Sequence, residues 1–285
     1  MKNIFVMAVL FTILLTPSHV WAWGATGHRV VGEIAQNYLS HKAQKKITKL
    51  LKGDSLARVA NWPDEIKSDP TNYAYTYNWH YTDWPDESQT YDPDHNSGTL
   101  VTAIENNIKV LRDQNSKEED KVFALKFLAH LIGDIHMPLH VGNGVDRGGN
   151  NCKVVFQTQA TNLHKLWDED MINFTKLSFT ELAMFINVIK KDEVRKIQQG
   201  TALDWARESK EIRNSVYPKD LFADPNQIST QKSYCVTPPP PAPPLPQEKL
   251  PKLGYEYSYQ FLPILERRLL EGGLRLAMVL NAALD

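Results

Sequence analysis

Apolar positions recur at intervals of three and four along most of the chain, the signature of helices that bury one face. After Gly27, Val31, Ile34, Tyr38 and Leu39 follow this spacing. Ala43, Ile47, Leu50 and Leu51 repeat it up to about Gly53. Leu100, Ile104, Ile108 and Leu111 mark another helix. Ser116 followed by Glu119 has the form of a capping box, predicting the start of the next, which carries Val122, Leu125, Leu128, Leu131 and Ile132. Further helical patterns cover 161–174, 178–191 and 194–216. The last runs from about residue 257 to the end, with Pro263 and Gly272-Gly273 as weak points. Residues 54–98 are rich in Tyr, Trp, Asp, Pro and Asn, show no long period, and are read as loops. Residues 142–150 form a Gly-rich loop, and 153–157 suit a short strand. The expected fold is a single compact, mainly α domain with long loops and at most a short hairpin.

The two ends of this pattern carry other information. Lys2, an uncharged stretch from Ile4 to Leu15, and Val20-Trp21-Ala22 have the make-up of a secretory signal peptide, 1–22, cleaved after Ala22. Twelve apolar residues fall short of the ~20 that span a bilayer. The expected location is secreted or periplasmic, with the domain proper at 23–285 and no membrane association once the leader is gone. Such a compartment permits a disulfide, and the sequence has two cysteines, Cys152 and Cys235. Their pairing stays open. Residues 238–246 read Pro-Pro-Pro-Pro-Ala-Pro-Pro-Leu-Pro, an extended surface loop placed at 238–251. With 32 Lys+Arg against 33 Asp+Glu, no broadly basic surface exists to bind nucleic acid by charge alone, but seven Trp and eleven Tyr supply aromatic platforms.

The histidines carry the chemistry. His130 and Asp134 stand four apart on a helix and so share a face, and His164 and Asp168 repeat the spacing. One such pair is ordinarily a surface hydrogen bond. Two, with the first set in Phe127-Leu128-Ala129-His130-Leu131-Ile132-Gly133-Asp134, imply buried imidazole and carboxylate groups that need partners, and a metal ion is one such partner. His140 follows beyond Pro138. Asp64 and His80 lie in aromatic loops, and His28 stands five residues after Trp23, whose amine and carbonyl could chelate a metal once Ala22 is removed.

Trp-Gly-x-x-Gly-His at 23–28, Trp-Pro-Asp at 62–64, Trp-His-Tyr at 79–81, His130-x-x-x-Asp134-x-x-x-x-x-His140, Gly148-Gly149-Asn150 and Asn162-Leu-His164-x-x-Trp-Asp168 together resemble the S1/P1 nuclease family, in its motif order. The resemblance implies the helical phospholipase C/P1 nuclease fold and a site for three zinc ions. One would be held by Asp64, His80, His130 and Asp134, a second by Trp23, His28 and the shared Asp134, and a third by His140, His164 and Asp168. It also implies a hydrolase, an endonuclease on single-stranded DNA and RNA that cuts P–O3′ and leaves 5′-phosphorylated products, with 3′-nucleotides as further substrates. Asp64 would orient the nucleophile, and Lys67 stands where the family often has arginine, as a phosphate clamp or as a plain surface lysine. Tyr81 and Asp83 match base-binding positions. His41, His95 and His136 match no ligand and are read as surface residues or as supports behind the ligands. The expected oligomeric state is a monomer. Two alternatives stay open: a zinc-dependent phospholipase C acting on lipid head groups, and a non-enzymatic secreted metal-binding protein.

Overall fold

The computed structural model describes residues 23–94, 97–218 and 246–285. Residues 1–22, read from the sequence as a signal peptide, His95, Cys235 and most of the proline-rich stretch lie outside them. The helices are α1 (Ala25–Asn37), α2 (His41–Leu50), α3 (Leu56–Val59), α4 (Trp62–Glu65), α5 (Pro70–Tyr73), α6 (Leu100–Arg112), α7 (Glu118–Asp134), α8 (Leu163–Lys165), α9 (Met171–Phe174), α10 (Phe179–Ile186), α11 (Lys191–Ile197), α12 (Ala202–Val216) and α13 (Tyr255–Leu284). At the centre lies α7, which packs against α1, α6 and α13. Its first turn is acidic, which suits the positive end of the helix dipole. From Phe127 to Asp134 every residue is buried, so this helix is surrounded on all sides. Gly272 and Gly273 do not weaken α13. A Cβ at Gly273 would sit 2.6 Å from Ile34, so the glycine pair lets α13 approach α1 closely. Pro263 faces solvent, where its missing N–H leaves no buried gap.

Three expectations need correction. The helices read over 161–174, 178–191 and 194–216 do not run unbroken, since 161–162 are extended and non-helical turns interrupt at 187–190 and 198–201. The aromatic stretch 54–98 is not all loop, since it holds α3, α4, α5 and a 3₁₀ helix at Ala74–His80, each too short to show a period. The Ser116 capping box does not form. Lys117 precedes α7 without a side-chain cap, and Ser116 instead donates to Asp113 through both its N–H and its hydroxyl. Capping boxes do start α10 (Ser178 with Glu181) and α12 (Thr201 with Asp204).

The little sheet present frames the site. Strand β1 (Thr82–Asp83) runs parallel to β2 (Val141–Gly142). A hairpin of β3 (Lys153–Phe156) and β4 (Gln159–Asn162) gains a third, parallel strand, β5 (Lys252–Leu253). None of the described helices is long and apolar enough to cross a membrane.

Candidate metal centre

The C-terminal half of α7, the segment that follows it, and the turn after β4 bring most of the candidate residues into one buried cluster. His130 Nε2 and His80 Nδ1 each lie 3.2 Å from the same oxygen of Asp134, and Asp64 Oδ1 lies 3.6 Å from His130 Nε2 and 3.7 Å from His80 Nδ1. His28, reaching in from α1, places Nε2 3.4 Å from the other Asp134 oxygen and stacks on His130 at 3.7 Å. Gly133 makes this possible, because a Cβ there would stand 3.1 Å from the His28 ring. On the third side, Asp168 lies 2.9 Å from His164 Nε2 and 3.6 Å from His140 Nε2. His164 lies in a short α-turn and Asp168 in a wider π-turn, yet their four-residue spacing still closes. Three groups can each hold a cation: His28 with His130 and Asp134, Asp64 with His80 and His130, and His140 with His164 and Asp168.

Many of the inward-facing polar atoms of this cluster lack a hydrogen-bond partner in the protein. Both oxygens of Asp134 and of Asp168, Oδ2 of Asp64, both nitrogens of His28, Nε2 of His80 and Nε2 of His140 are buried without a hydrogen bond. Groups so placed cost free energy unless something else satisfies them. The outer nitrogens are fixed by backbone carbonyls: Nδ1–H of His130 donates to Ala60 O (2.7 Å), that of His140 to His80 O (2.5 Å) and that of His164 to Gly148 O (2.7 Å). Each bond turns Nε2 of its ring inward, toward the buried carboxylates, the orientation that metal-binding histidines need, and His130 Nε2 also lies 2.9 Å from His80 Nδ1. The donor set, imidazole and carboxylate, fits zinc.

Charge follows the same geometry. Burial, reinforced by His130, lowers the His28 pKa to about 3, so its ring is neutral. Burial opposes ionisation of Asp64, but Lys67, with Nζ 2.6 Å from Oδ1, and the surrounding imidazoles hold the carboxyl below its usual range. Asp134 and Asp168 are held down likewise by facing histidines. Burial alone would lower His140, yet Asp134 and Asp168 raise it to about 9.

The remaining sequence candidates are placed as follows. Trp23 is fully buried against the cluster, its indole N–H donated to Gly133 O (2.7 Å), while Gly24 N–H donates to Asp168 O (2.9 Å). His80, His140 and His164 open onto a cavity of about 810 Å³ that Lys67, Tyr81 and Asp83 also line. Lys67 is not a plain surface lysine, since its side chain is mostly buried against Asp64. Burial raises the pKa of Asp83, and Gly142 leaves room for its carboxylate. His41 is exposed, as expected. His136 is fully buried between the candidate residues Asp134 and His140, its Nδ1 on Ile132 O and its Nε2 on Arg275, so it is no surface residue. Sequence reasoning missed Arg147, which lines the same cavity. Its one signal was its place beside Gly148-Gly149.

Comparison with known proteins agrees with this geometry. The family model for S1/P1 Nuclease matches residues 23–285. Endonuclease 4 of Arabidopsis thaliana is 32% identical over 91% of this chain and 88% of its own, and Endonuclease 1 of the same plant is 30% identical over 98% and 92%. Nuclease S1 of Aspergillus oryzae is 36% identical over 53% of this chain and 55% of its own. The chain belongs to the S1/P1 nuclease family, hydrolases of phosphodiester bonds.

Proposed function

We propose that this chain is a secreted or periplasmic, monomeric, zinc-dependent endonuclease. It cleaves single-stranded DNA and RNA at P–O3′ to leave 5′-phosphorylated products, and removes the phosphate of 3′-nucleotides. The observation that carries the reading is the set of unpartnered buried carboxylate and imidazole atoms, of which those of His80 and His140 belong to residues that line one large cavity. Asp64, His80, His130 and Asp134 would hold one zinc, His28, Asp134 and the freed amine and carbonyl of Trp23 a second, and His140, His164 and Asp168 a third. Bound zinc supplies Lewis acidity, activating water near neutral pH and neutralising charge on the phosphate. Asp64 keeps one oxygen for orienting the nucleophile, because Lys67 occupies only the other. The Lys67 ammonium puts positive charge on the cavity wall, where phosphate oxygens would lie. Tyr81 offers a ring for an unpaired base, worth roughly 1–3 kcal/mol per stack, and Asp83 a carboxyl for its edge. The division into a leader, 1–22, and a catalytic domain, 23–285, belongs to the same proposal.

Purified chain 23–285 is expected to contain three zinc ions and to degrade heat-denatured DNA and RNA, with chelator abolishing both. Hydrolysis of phosphatidylcholine without nuclease activity would establish the lipase instead, and zinc without turnover the binder. A chain still carrying residues 1–22 is expected to load less zinc. Equal loading would remove Trp23 from the ligand set.

A further inference from the structure

The loop 143–150 is fastened from several sides. Buried Asn143 accepts the N–H groups of Val145 (2.8 Å) and Asp146 (3.1 Å) through Oδ1. Buried Asp146 accepts Gly149 N–H (2.9 Å) and the Tyr217 hydroxyl (2.6 Å). Gly148 O holds His164. This backbone is left-handed at four positions, and three of them are glycine: 144, 148 and 149. The fourth is Arg147, at φ 58°. A side chain in that region is strained where glycine is not, so the turn by itself would favour glycine at 147 as well. Something other than the turn accounts for arginine there.

Arg147 is exposed and lines the cavity beside His140 and His164, and no hydrogen bond or ion pair among the described residues engages its guanidinium. Lys67, the other cation lining that cavity, is bound to Asp64. With formal charge −1 the chain has no broad field to draw in a polyanion, so discrete cations must capture the strand. We propose that Arg147 grips a phosphate next to the scissile one, on the His164 side of the cavity, and thereby selects polynucleotides over mononucleotides. A rigid, planar fork of donors suits such a phosphate, and the fastened loop holds it out with little freedom to lose. This rests on the nuclease reading above.

The test measures zinc-loaded chain 23–285 on a single-stranded oligonucleotide and on a 3′-nucleotide, across a salt series. Arg147→Ala is expected to raise KM for the oligonucleotide about tenfold with kcat within about twofold. It should also flatten the salt dependence by roughly 0.7 in log–log slope. For the 3′-nucleotide the rise should stay under about twofold. Arg147→Lys should keep the salt slope and recover part of KM. Arg147→Gly relaxes the backbone, so it should melt no lower than the parent yet show the same KM rise, which excludes a misfolded loop. Lys153→Ala removes a nearby exposed charge outside the cavity lining and should leave KM unchanged. An Arg147→Ala enzyme with parental KM and slope, equal losses on both substrates, or an equal loss from Lys153→Ala would overturn the assignment. A parent enzyme that leaves single strands intact would instead overturn the nuclease reading.

Discussion

Two buried polar constellations meet on the segment 130–140, and they are satisfied in opposite ways. His136 is closed on both sides: Nδ1–H donates to Ile132 O (2.6 Å), and Arg275 donates to Nε2 (2.9 Å). Arg275 also pairs with Glu208, and Arg268 binds His136 O (3.0 Å) and Ser209 (2.9 Å), whose hydroxyl returns to Ile135 O. Burial and the two guanidiniums keep His136 neutral. On the other side, His140 and both oxygens of Asp134 keep inner atoms with no protein partner. His136 and His140 are the same residue type and both are fully buried, so the difference between them lies in the partners. A polar cluster that the chain completes itself is scaffold, and one that it leaves incomplete requires a ligand from outside.

The largest test of that contrast compares Asp134→Asn with Arg275→Met. The first keeps the shape of the side chain but removes the carboxylate charge that faces His28, His80 and His130. It is expected to lower kcat/KM by at least about 10³-fold and to reduce zinc content. The second leaves Nε2 of His136 and part of Glu208 unpartnered, and is expected to cost about 2 kcal/mol of stability while zinc content stays at the parental value. Metal analysis and thermal melts separate the two. Loss of zinc from Arg275→Met comparable to that from Asp134→Asn would dissolve the distinction between scaffold and site.

A smaller effect sharpens it further. Gly148 and Gly53 are both left-handed, at φ 59° and 95°. Open space surrounds Gly53, whereas a Cβ on Gly148 would overlap Leu139 O and crowd the His164 ring. Gly53→Ala is expected to cost about 1 kcal/mol and nothing in zinc. Gly148→Ala shifts the carbonyl that orients His164 and should weaken zinc binding roughly 10–100-fold. Competition with a chelator of known affinity reads the difference.

How much of this was legible in the chain depends on where the determinant resides. Spacing alone exposed His130 with Asp134 and His164 with Asp168, because four residues is one helical turn. The long helices showed for the same reason, whereas α3, α4 and α5 complete about one turn each and leave no period to detect. Spacing could not separate His136 from its ligand-like neighbours, since its role is set by Arg268 and Arg275 from the far end of the sequence. The carbonyls of Ala60, His80 and Gly148 that orient the imidazoles belong to the main chain, so no residue type announces them. The capping box at Ser116 misled because Asp113 offered the same hydroxyl a partner on its other side.

The finest test of the contrast is a proton count. In the metal-free protein His140 titrates near 9, above its ordinary value, so it is mostly protonated at pH 7.5. Zinc requires its lone pair, so binding there must expel that proton. Affinity at this group should then rise with pH and level off above about 9. The His28 ring, near 3, is neutral throughout and releases none. Asp134 and Asp64 raise His130 against its burial, while neutral His136, on the closed side, contributes nothing. Calorimetric zinc titrations of metal-free enzyme in two buffers of different ionisation heat should therefore show about one or more protons released at pH 7.5. The figure should fall by about one in His140→Ala and stay unchanged in His136→Leu, provided that variant folds to the same melting profile. Heats independent of buffer would mean that the carboxylates do not hold a proton on His140, and the charge balance drawn for the open side would be wrong.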